Sequence, residues 1–301
     1  MTLARVHPTR VYRFYRGGAL IDRLRGAAED DGQFPEDWVG SIVPANNPGR
    51  DEPLAGLSRL EDGRLLRDAV AEDPGFWGTP DVLVKLLDPA QRLPVHAHPD
   101  RPFARMHFGS AYGKTEAWMI VGTRDETADV WLGLREPVAR DEYRSWIERQ
   151  DDALLDSLHK LTVSAGDAIY VPAGVPHAIG AGALMVELQE PADLSIVCEW
   201  RGFPIDPADA HLGIGWDRAL DAFHLDAYEP FVGLPDDAAA FFHVDDRAES
   251  AGRFAVLLVL EGDGEIDGQA ARAGDAFVVP ARAEWFAVDG DLRVMRCFGG
   301  G

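Results

Sequence analysis

A stretch of sixteen residues occurs twice in this chain, and the repeat constrains the fold more than any other feature. SAGDAIYVPAGVPHAI at 164–179 returns as RAGDAFVVPARAEWFA at 272–287, an offset of 108 residues. A period of about 100 residues predicts a duplicated domain, because the repeats of solenoids are shorter. In each copy Gly-Asp predicts a turn, an apolar strand follows, and Pro ends the strand. His177 of the first copy is matched by Trp285 of the second, which predicts that only the first half carries chemistry.

The rest of the chain divides into an irregular start and a β-rich remainder. The first residues, to about position 80, are predicted to contain turns and short helices, including PEDWVGS at 35–41 and a helix in GRLLRDAVAEDP that ends before Pro74. From Val82 onward, short apolar runs separated by Gly, Pro and Asp predict a sandwich or barrel of strands. Residues 135–160 carry apolar residues at helical spacing and many charges, so we expect one or two inserted helices there.

Composition and charge exclude several functional classes. The 301 residues are 46% hydrophobic, which is enough for a substantial core. The formal charge of −22 opposes binding to nucleic acid or to an anionic membrane, because both need clustered Lys and Arg. The sequence has no run of about 18 apolar residues and no apolar leader, so we expect a cytoplasmic location. Cys198 and Cys297 are predicted to be reduced and buried.

The stretch LPVHAHPDRPFARMHFGSAYGKTEAWMIV at 93–121 predicts a metal site. In a strand, residues i and i+2 face the same side, so His96 and His98 would point into one space. Glu116 on the next strand adds a carboxylate, and His177 can complete the set. Three imidazoles and one carboxylate suit Zn²⁺, Fe²⁺, Mn²⁺ or Ni²⁺, and the ligand types alone do not choose among these metals.

The order of these residues also predicts the fold. A His-x-His, then a Glu preceded by Gly-Lys-Thr, then a Pro-His after a Gly-Asp strand is the ligand order of the cupin double-stranded β-helix. The predicted fold is therefore mainly β, with two cupin (jelly-roll) domains and a small helical insertion. We expect a catalytic, metal-binding domain at 1–205, with the insertion at about 135–160, and a metal-free domain at 206–301.

Two longer stretches carry a resemblance to a known family. HPDRPFARMHF…YGKTEAWMIV, followed by GDAIYVPAGVPHAIGAGALMVELQEPAD, resembles the type I mannose-6-phosphate isomerases. These are zinc-dependent cupins that interconvert mannose 6-phosphate and fructose 6-phosphate. The similarity extends more loosely from WVGS near the start to FAVLLVLEGDGEIDG…AGDAFVVPA in the second half. Gly-Lys-Thr-Glu and His-Pro-Asp are fairly specific to that family, whereas the Gly-Asp…Pro-x-Gly…His element occurs in cupins generally.

The resemblance implies a metal-ligand set in this chain. The ligands of the family fall on His98, Glu116 and His177. His96 stands where the family usually has a glutamine, which keeps a ligand and makes it a stronger one. The implied cofactor is Zn²⁺, with Fe²⁺, Mn²⁺ and Ni²⁺ as alternatives.

The resemblance also implies the groups that act on the substrate. The active-site lysines of the family fall on Lys85 and Lys114, and a glutamate of its site falls on Glu187. We expect Glu187 to move the proton between C1 and C2 of the sugar, with Lys114 polarising an oxygen or relaying the proton. Lys85 is expected to bind an oxygen of the open-chain sugar or its phosphate.

One position departs from the family. Its Ser-Asp-x-x-x-Arg pattern is replaced by ADLSIV, which places Val197 where the family has an active-site arginine. This exchange removes a charge and a bidentate clamp for oxygen. Arg201 is the nearest cation of the same strand parity, and Arg101 lies close in sequence to the ligands. Both are predicted to bind substrate.

The predicted function is a metal-dependent aldose–ketose isomerase that resembles mannose-6-phosphate isomerase and works through a cis-enediol. Its partner would be a small-molecule sugar or sugar phosphate, and the chain would be a monomer or homodimer. Three alternatives stay open: an isomerase of a different sugar, an Fe²⁺-dependent cupin oxygenase, and a sugar-binding module without activity. Val197 is the residue that keeps them open.

Overall fold

The computed structural model describes residues 3–248, 252–283 and 285–300. It is mainly β, as the sequence predicts, and the strands lie in three sheets with antiparallel pairing. None of the helices in these ranges is long and apolar enough to cross a membrane. Cys198 and Cys297 are both free and buried, as expected.

The strands before position 200 come first in the chain. They are β1 (Ala4–Arg5), β2 (Arg10–Val11), β3 (Glu36–Val39), β4 (Leu83–Leu87), β5 (His96–Ala97), β6 (Glu116–Thr123), β7 (Ala128–Leu134), β8 (Leu158–Val163), β9 (Ala168–Val171), β10 (His177–Ile179), β11 (Ala183–Gln189) and β12 (Ile196–Val197).

The remaining strands are β13 (Phe242–Asp245), β14 (Ala255–Ile266), β15 (Gln269–Arg272), β16 (Ala276–Val279) and β17 (Val288–Gly299). The α-helices are α1 (Ala19–Arg25), α2 (Leu66–Glu72), α3 (Pro74–Trp77), α4 (Arg101–Phe108), α5 (Arg140–Arg149), α6 (Ala153–Asp156) and α7 (Trp216–Ala219). Short 3₁₀ helices occupy Leu220–Ala222 and Asp236–Ala240.

Two sheets of the first half pack face to face. We call the sheet β2-β3-β4-β11-β6-β9 the inner sheet and the sheet β12-β5-β10-β7-β8 the outer sheet. Apolar side chains fill part of the space between them, with Trp118 and Met185 from the inner sheet and Val130 and Leu132 from the outer sheet. The rest of that space forms the cavity of the candidate site.

The other face of the inner sheet packs on the sheet of the second half. This C-terminal sheet has the order β1-β16-β14-β17-β13, with β15 paired to β14. Val84 and Leu86 of β4 lie in one apolar cluster with Val256 and Val278. Because β4 is buried on both faces, its sequence reads as an unbroken apolar run around Lys85 rather than as an alternation.

The repeated sequence has the same local structure in both halves. The strands β9 and β16 occupy equivalent positions, since 168–171 and 276–279 differ by the same offset of 108 residues. In the first copy the Asp167 carboxylate accepts from Ser164 N at 2.8 Å, and in the second the Asp275 carboxylate accepts from Arg272 N at 3.0 Å. The Gly before each Asp has a positive φ, which favours glycine. The predicted turn, strand and terminating Pro are therefore confirmed in both copies.

The helices predicted from periodicity are also confirmed. The amphipathic segment before Pro74 forms α2, which ends at Glu72. The charged segment 135–160 contains α5 and α6 before β8 begins at Leu158. The insertion lies at the edge of the outer sheet, because β7 and β8 on either side of it pair with each other.

The prediction of turns or short helices at 35–41 is wrong, because Glu36–Val39 forms β3 between β2 and β4. The acidic residues there look like a solvated turn in the sequence, but both are buried against cations. Glu36 accepts from Arg13 Nε at 2.9 Å, and Asp37 accepts from Arg25 Nε at 3.0 Å. Tertiary ion pairing thus decides the conformation of this segment.

The division of the chain at 205/206 stays a prediction. Most of the C-terminal sheet comes from the residues after that boundary. Its edge strand, however, is β1, where Arg5 pairs with Phe277. The first residues of the chain therefore complete the sheet of the second half.

Candidate active site

Three histidine rings converge between the inner and outer sheets. His96 on β5 lies directly opposite His177 on β10, and His98 follows the end of β5. The ring centroids lie 4.2 Å apart for His96 and His177, 5.0 Å for His96 and His98, and 4.9 Å for His98 and His177. Their nitrogens form a group of buried potential metal ligands within 4.8 Å of one another.

Backbone carbonyls fix which nitrogen of each ring faces the centre. Nδ1 lies 2.8 Å from Pro94 O in His96, 2.8 Å from Leu194 O in His98 and 2.9 Å from Val175 O in His177. A carbonyl oxygen can only accept, so each Nδ1 carries a proton, and in the neutral ring each Nε2 presents a lone pair.

These three lone pairs fit a metal ion. Nε2 of His177 is fully buried and has no hydrogen-bond partner among the described residues, which is costly for a polar atom unless a ligand satisfies it. Backbone support at the second nitrogen is the usual arrangement for imidazoles that bind metal. The donor set is therefore suited to a divalent cation held by Nε2 atoms.

Glu116 adds a carboxylate to this group. Its Oε2 lies 3.2 Å from His98 Nε2, and its Oε1 lies 3.3 Å from His177 Nε2. Lys114 Nζ donates to Oε2 at 2.8 Å, and Trp118 Nε1 donates to Oε1 at 2.9 Å. Lys114, Glu116 and Trp118 thus share a face, as strand parity predicts.

The electrostatics keep three of the candidate ligands, His96, His98 and Glu116, in the form that binds metal. Burial, and next the neighbouring His177, lower the pKa of His96 well below its ordinary value. Burial and the Lys114 ammonium lower the pKa of His98 to about 3. Burial alone would raise the pKa of Glu116, but Lys114 and His98 outweigh it and hold that pKa well below the usual range. Neutral imidazoles beside a carboxylate are the species that coordinate metals at neutral pH.

A second charged group stands beside the histidines on the inner sheet. Glu187 on β11 is directly opposite Lys85 on β4, and Lys85 Nζ donates to Glu187 Oε1 at 3.2 Å. Lys114 Nζ is 3.7 Å from the same oxygen. Burial raises the pKa of Glu187 above its ordinary value, although the Lys85 ammonium opposes the rise. Glu187 is thus a carboxylate of increased basicity held between two ammonium groups.

The acid–base groups and part of the candidate metal site, His96 and Glu116, line one cavity of about 360 Å³. That volume falls within the range of small-molecule sites. Lys85, Lys114, Glu187 and His96 line it, and Val197 lines it too, opposite His96 in the pairing of β12 with β5. The structure therefore brings together the metal-site residues and the acid–base residues that the sequence predicts; their roles stay predictions.

Sequence reasoning missed one cation of this cavity, Arg13. It is buried at the wall, where its Nε donates to Glu36 at 2.9 Å and its Nη2 lies 3.2 Å from Asp193 Oδ1. Burial by itself would lower the pKa of Arg13, but Asp193 and Glu36 outweigh it and raise that pKa. A signal was present in VYRFY at 11–15, where a single arginine interrupts a run of aromatic and apolar residues. Nothing in that run connects it to partners as distant as Asp193.

The two arginines predicted to bind substrate do not line the cavity. Arg201 is exposed and pairs with Asp152 at the surface. Arg101, the first residue of α4, pairs with Glu190 and lies over the ring of Phe241. Arg201 lies four residues beyond the end of β12 and so outside the strand. Strand parity therefore does not predict the direction of its side chain.

Curated proteins that are similar to this chain over most of its length are named as mannose-6-phosphate isomerases. No protein-family model matches the chain. The chain is 27% identical to "Probable mannose-6-phosphate isomerase GmuF" of Bacillus subtilis, over 93% of this chain and 94% of that protein. It is 29% identical to a mannose-6-phosphate isomerase of Streptococcus mutans, over 71% of this chain and 72% of that protein. These relatives support an isomerase.

Solved structures share the fold of this chain. The crystal structure of the mannose 6-phosphate isomerase from Bacillus subtilis matches with a TM-score of 0.75 and 22% identity, and the match covers 99% of each chain. At that identity the match shows the fold alone. It confirms the mainly β fold class over the whole length of the chain.

Proposed function

We propose that this chain, similar to mannose-6-phosphate isomerases, is a metal-dependent aldose–ketose isomerase. The observation that carries the proposal is that two groups of side chains lie next to each other. Three imidazoles form a buried cluster of potential metal ligands, and a buried Lys–Glu pair lies beside them. Metal ligands alone would fit many activities, but an adjacent buried base fits proton transfer.

His96, His98, His177 and Glu116 would hold the metal, for which we propose Zn²⁺. A bound divalent cation supplies Lewis-acid stabilisation of negative charge on sugar oxygens, worth several kcal/mol at the transition state. Lys114 Nζ lies 2.8 Å from both His98 Nε2 and Glu116 Oε2. Binding of a cation at those atoms would direct Lys114 towards Glu187 and the substrate.

Glu187 is the proposed base. In the aldose-to-ketose direction its carboxylate takes the proton from C2 and returns it to C1, while the hydroxyl proton moves from O2 to O1 through the cis-enediol. The raised pKa of Glu187 suits this exchange, because a base is most effective when its pKa approaches the working pH. Its burial also removes water that would compete for the proton.

Lys114 and Lys85 are proposed to donate hydrogen bonds to the groups that take part in the proton transfer. Lys114, at 3.7 Å from Glu187, is the proposed donor to the sugar oxygens between which the hydroxyl proton moves. Lys85 donates to Glu187 from the neighbouring strand and keeps the carboxylate oriented towards the cavity. Both are buried ammonium groups, so their hydrogen bonds act in a medium of low polarity.

Exchange in deuterated water tests the proposal most directly. The Zn²⁺-loaded protein should convert an aldose to its ketose and incorporate solvent deuterium at the carbon that receives the proton, as followed by NMR. Mannose 6-phosphate and free mannose are the first pair to compare. Removal of metal by a chelator should abolish turnover. Consumption of O₂ without ketose formation would contradict the proposal and favour an oxygenase instead.

A further inference from the structure

The walls of the cavity carry more negative than positive charge. Among the described residues that line it, the cations are Arg13, Lys85 and Lys114. The lining carboxylates are Glu36, Glu116, Glu187, Asp193, Asp206 and Asp209. A divalent cation would offset two of the three surplus negative charges. Even with Glu187 protonated the site would have no positive excess.

The donor nitrogens of Arg13 are all engaged by the protein. A guanidinium has five N–H donors on three nitrogens, and the structure gives each of these nitrogens of Arg13 at least one protein acceptor. Nε meets Glu36 Oε1; Nη1 meets Asn46 O at 3.3 Å and Asn47 Oδ1 at 3.2 Å; and Nη2 meets both oxygens of Asp193 at 3.2 and 3.3 Å. The only arginine of the described cavity wall is therefore committed to the protein itself.

The two lysines also have carboxylate partners, and Glu187 remains beside both of them if Glu116 holds the metal. Lys85 lies 3.2 Å from Glu187 and 3.9 Å from Glu36, and its ammonium stands over the Trp38 ring. Lys114 lies 2.8 Å from Glu116 and 3.7 Å from Glu187. A phosphate dianion would have to compete with carboxylates for each of them, and separating a buried ion pair is costly.

Cations near the rim are also paired. Arg50, next to the lining residue Gly49, pairs with Glu52 and stacks on Tyr12. Arg92 makes a bidentate contact with Glu199, at 2.7 and 2.6 Å. At the mouth itself stand the exposed carboxylates Asp206 and Asp209. An approaching anion would meet negative charge first.

Other features of the wall suit hydroxyl groups. Nδ2 of Asn47 is buried and has no acceptor among the described residues, so a ligand oxygen there would satisfy it. Ser195 lines the same cavity and offers a hydroxyl. Val197, where the resemblance implies an arginine, gives an apolar surface beside His96.

We propose that the substrate of this site is an uncharged sugar rather than a sugar phosphate. The proposal rests on the isomerase function proposed above and narrows its substrate class. Recognition would come from hydrogen bonds between sugar hydroxyls and the carboxylates and amides of the wall. Phosphate esters would be rejected, because a phosphate carries about −1.5 to −2 charges at neutral pH and finds no free cation in the described cavity.

Binding of open-chain analogues tests the proposal independently of catalysis. Mannitol and glucitol cannot isomerise, and each has a terminal phosphate ester that differs only in the charged group. We expect each parent hexitol to bind the Zn²⁺-loaded protein at least tenfold more tightly than its phosphate, as measured by calorimetry or ligand-observed NMR. Tighter or equal binding of the phosphates, or no binding of either member of both pairs, would overturn the proposal.

Turnover then separates this proposal from the proposed function. Mannose and fructose should be converted with a kcat/KM at least tenfold above that of their 6-phosphates. If no sugar is isomerised while the hexitols still bind better than their phosphates, the isomerase proposal fails and the preference for neutral ligands stands. Efficient turnover of mannose 6-phosphate but not of mannose would support the isomerase proposal and contradict the preference for neutral sugars.

Charge variants test the mechanism of rejection. The double variant Asp206→Asn/Asp209→Asn should increase the relative affinity for hexitol phosphates several-fold, and high salt should do the same in the unmodified protein. The matched control is Asp263→Asn/Glu265→Gln, which removes two exposed carboxylates from β14 and leaves the cavity unchanged. Equal effects of both double variants would show that the overall charge of the protein, and not the charge of the cavity, sets the relative affinity for hexitol phosphates.

Discussion

Several strand pairings of the inner sheet recur in the second half of the chain, with different side chains at equivalent positions. In the first half Glu116 pairs with Val171, and in the second Ala255 pairs with Val279, the residue 108 positions after Val171. Alanine therefore stands where the candidate ligand glutamate stands. His177 is matched in the same way by Trp285, whose side chain is 66% exposed.

A cross-strand ion pair occurs in both halves with its charges exchanged. In the first half Lys85 on β4 lies opposite Glu187 on β11. By the same pairings, the equivalent residues of the second half are Asp245 on β13 and Arg296 on β17. Arg296 Nε donates to Asp245 at 2.8 Å.

The difference between the two halves distinguishes the residues that the fold requires from the residues that the candidate site requires. The Gly-Asp turn and the strand after it are the same in both halves, so they serve the fold. A cross-strand ion pair also fits either half and either polarity. The cluster of His96, His98 and His177 has no counterpart among the described residues of the second half, and Glu116 is matched there by Ala255. These four residues make the interior of the first half a candidate metal site.

The largest expected effect is on metal content. His177→Ala removes the Nε2 that has no hydrogen-bond partner among the described residues, so metal content should fall from about one ion per chain to nearly none. Trp285→Ala, at the equivalent exposed position, should leave it unchanged. Mass spectrometry of the native protein measures both. Full metal content in His177→Ala would remove the distinction between the halves.

The next effect is on turnover. Glu187→Gln keeps the shape of the side chain but removes the base, so kcat should fall about 10²- to 10⁴-fold. Metal content should stay near that of the unmodified protein, because Glu187 is not among the four candidate ligands. The exposed Glu265→Gln is the control. If Glu187→Gln retained full activity, the base would have to be sought elsewhere in the cavity.

Acid should weaken the first half through Glu36. Burial would raise the pKa of Glu36, but Arg13 and Lys85 outweigh it and lower that pKa to about 2 from an ordinary value of 4.5. Because the folded pKa is the lower one, Glu36 stabilises the fold above about pH 4.5, by about 3 kcal/mol, and this contribution is lost as the pH falls from about 4.5 to about 2.

Urea unfolding of the metal-free protein at several pH values measures this loss. The difference in free energy of unfolding between the unmodified protein and Glu36→Gln should shrink over that pH range. A difference that does not change with pH would mean that Glu36 contributes through packing and not through its charge.

A smaller effect on the free energy of unfolding is expected from a change in the second half. Arg296→Met leaves the partly exposed Asp245 without its guanidinium and should lower the free energy of unfolding by about 2 kcal/mol. Metal content and turnover should not change. The double variant with Asp245→Asn should lose less than the sum of the two single losses. Strict additivity would mean that the pair does not interact.

The sequence predicted the parts of the site that lie within short motifs. His96 and His98 are two residues apart, Glu116 and Lys114 belong to one strand, and strand parity is enough to place each pair. His177 was found through the repeat. These inferences needed only the period of a β-strand and the chemistry of the side chains.

Long-range pairing explains what the sequence did not predict. Arg13, Glu36 and Asp193 meet across the cavity, although they are far apart along the chain. Each of the three looks like a surface charge in its own segment of sequence. Their burial depends on the tertiary pairing of very short strands, such as the two-residue β2. Arg201 is the reverse case, because it was expected at the cavity and is exposed at the surface.

The pairing of β1 with β16 has a consequence for how the chain is made. Arg5 is synthesised well before its partner Phe277, which lies 272 residues later in the sequence. The strand β1 must therefore stay without its partner until β16 has emerged from the ribosome. Such non-local closure is slow compared with the formation of local hairpins. Synthesis that stops before β16 would leave β1 without the strand it pairs with.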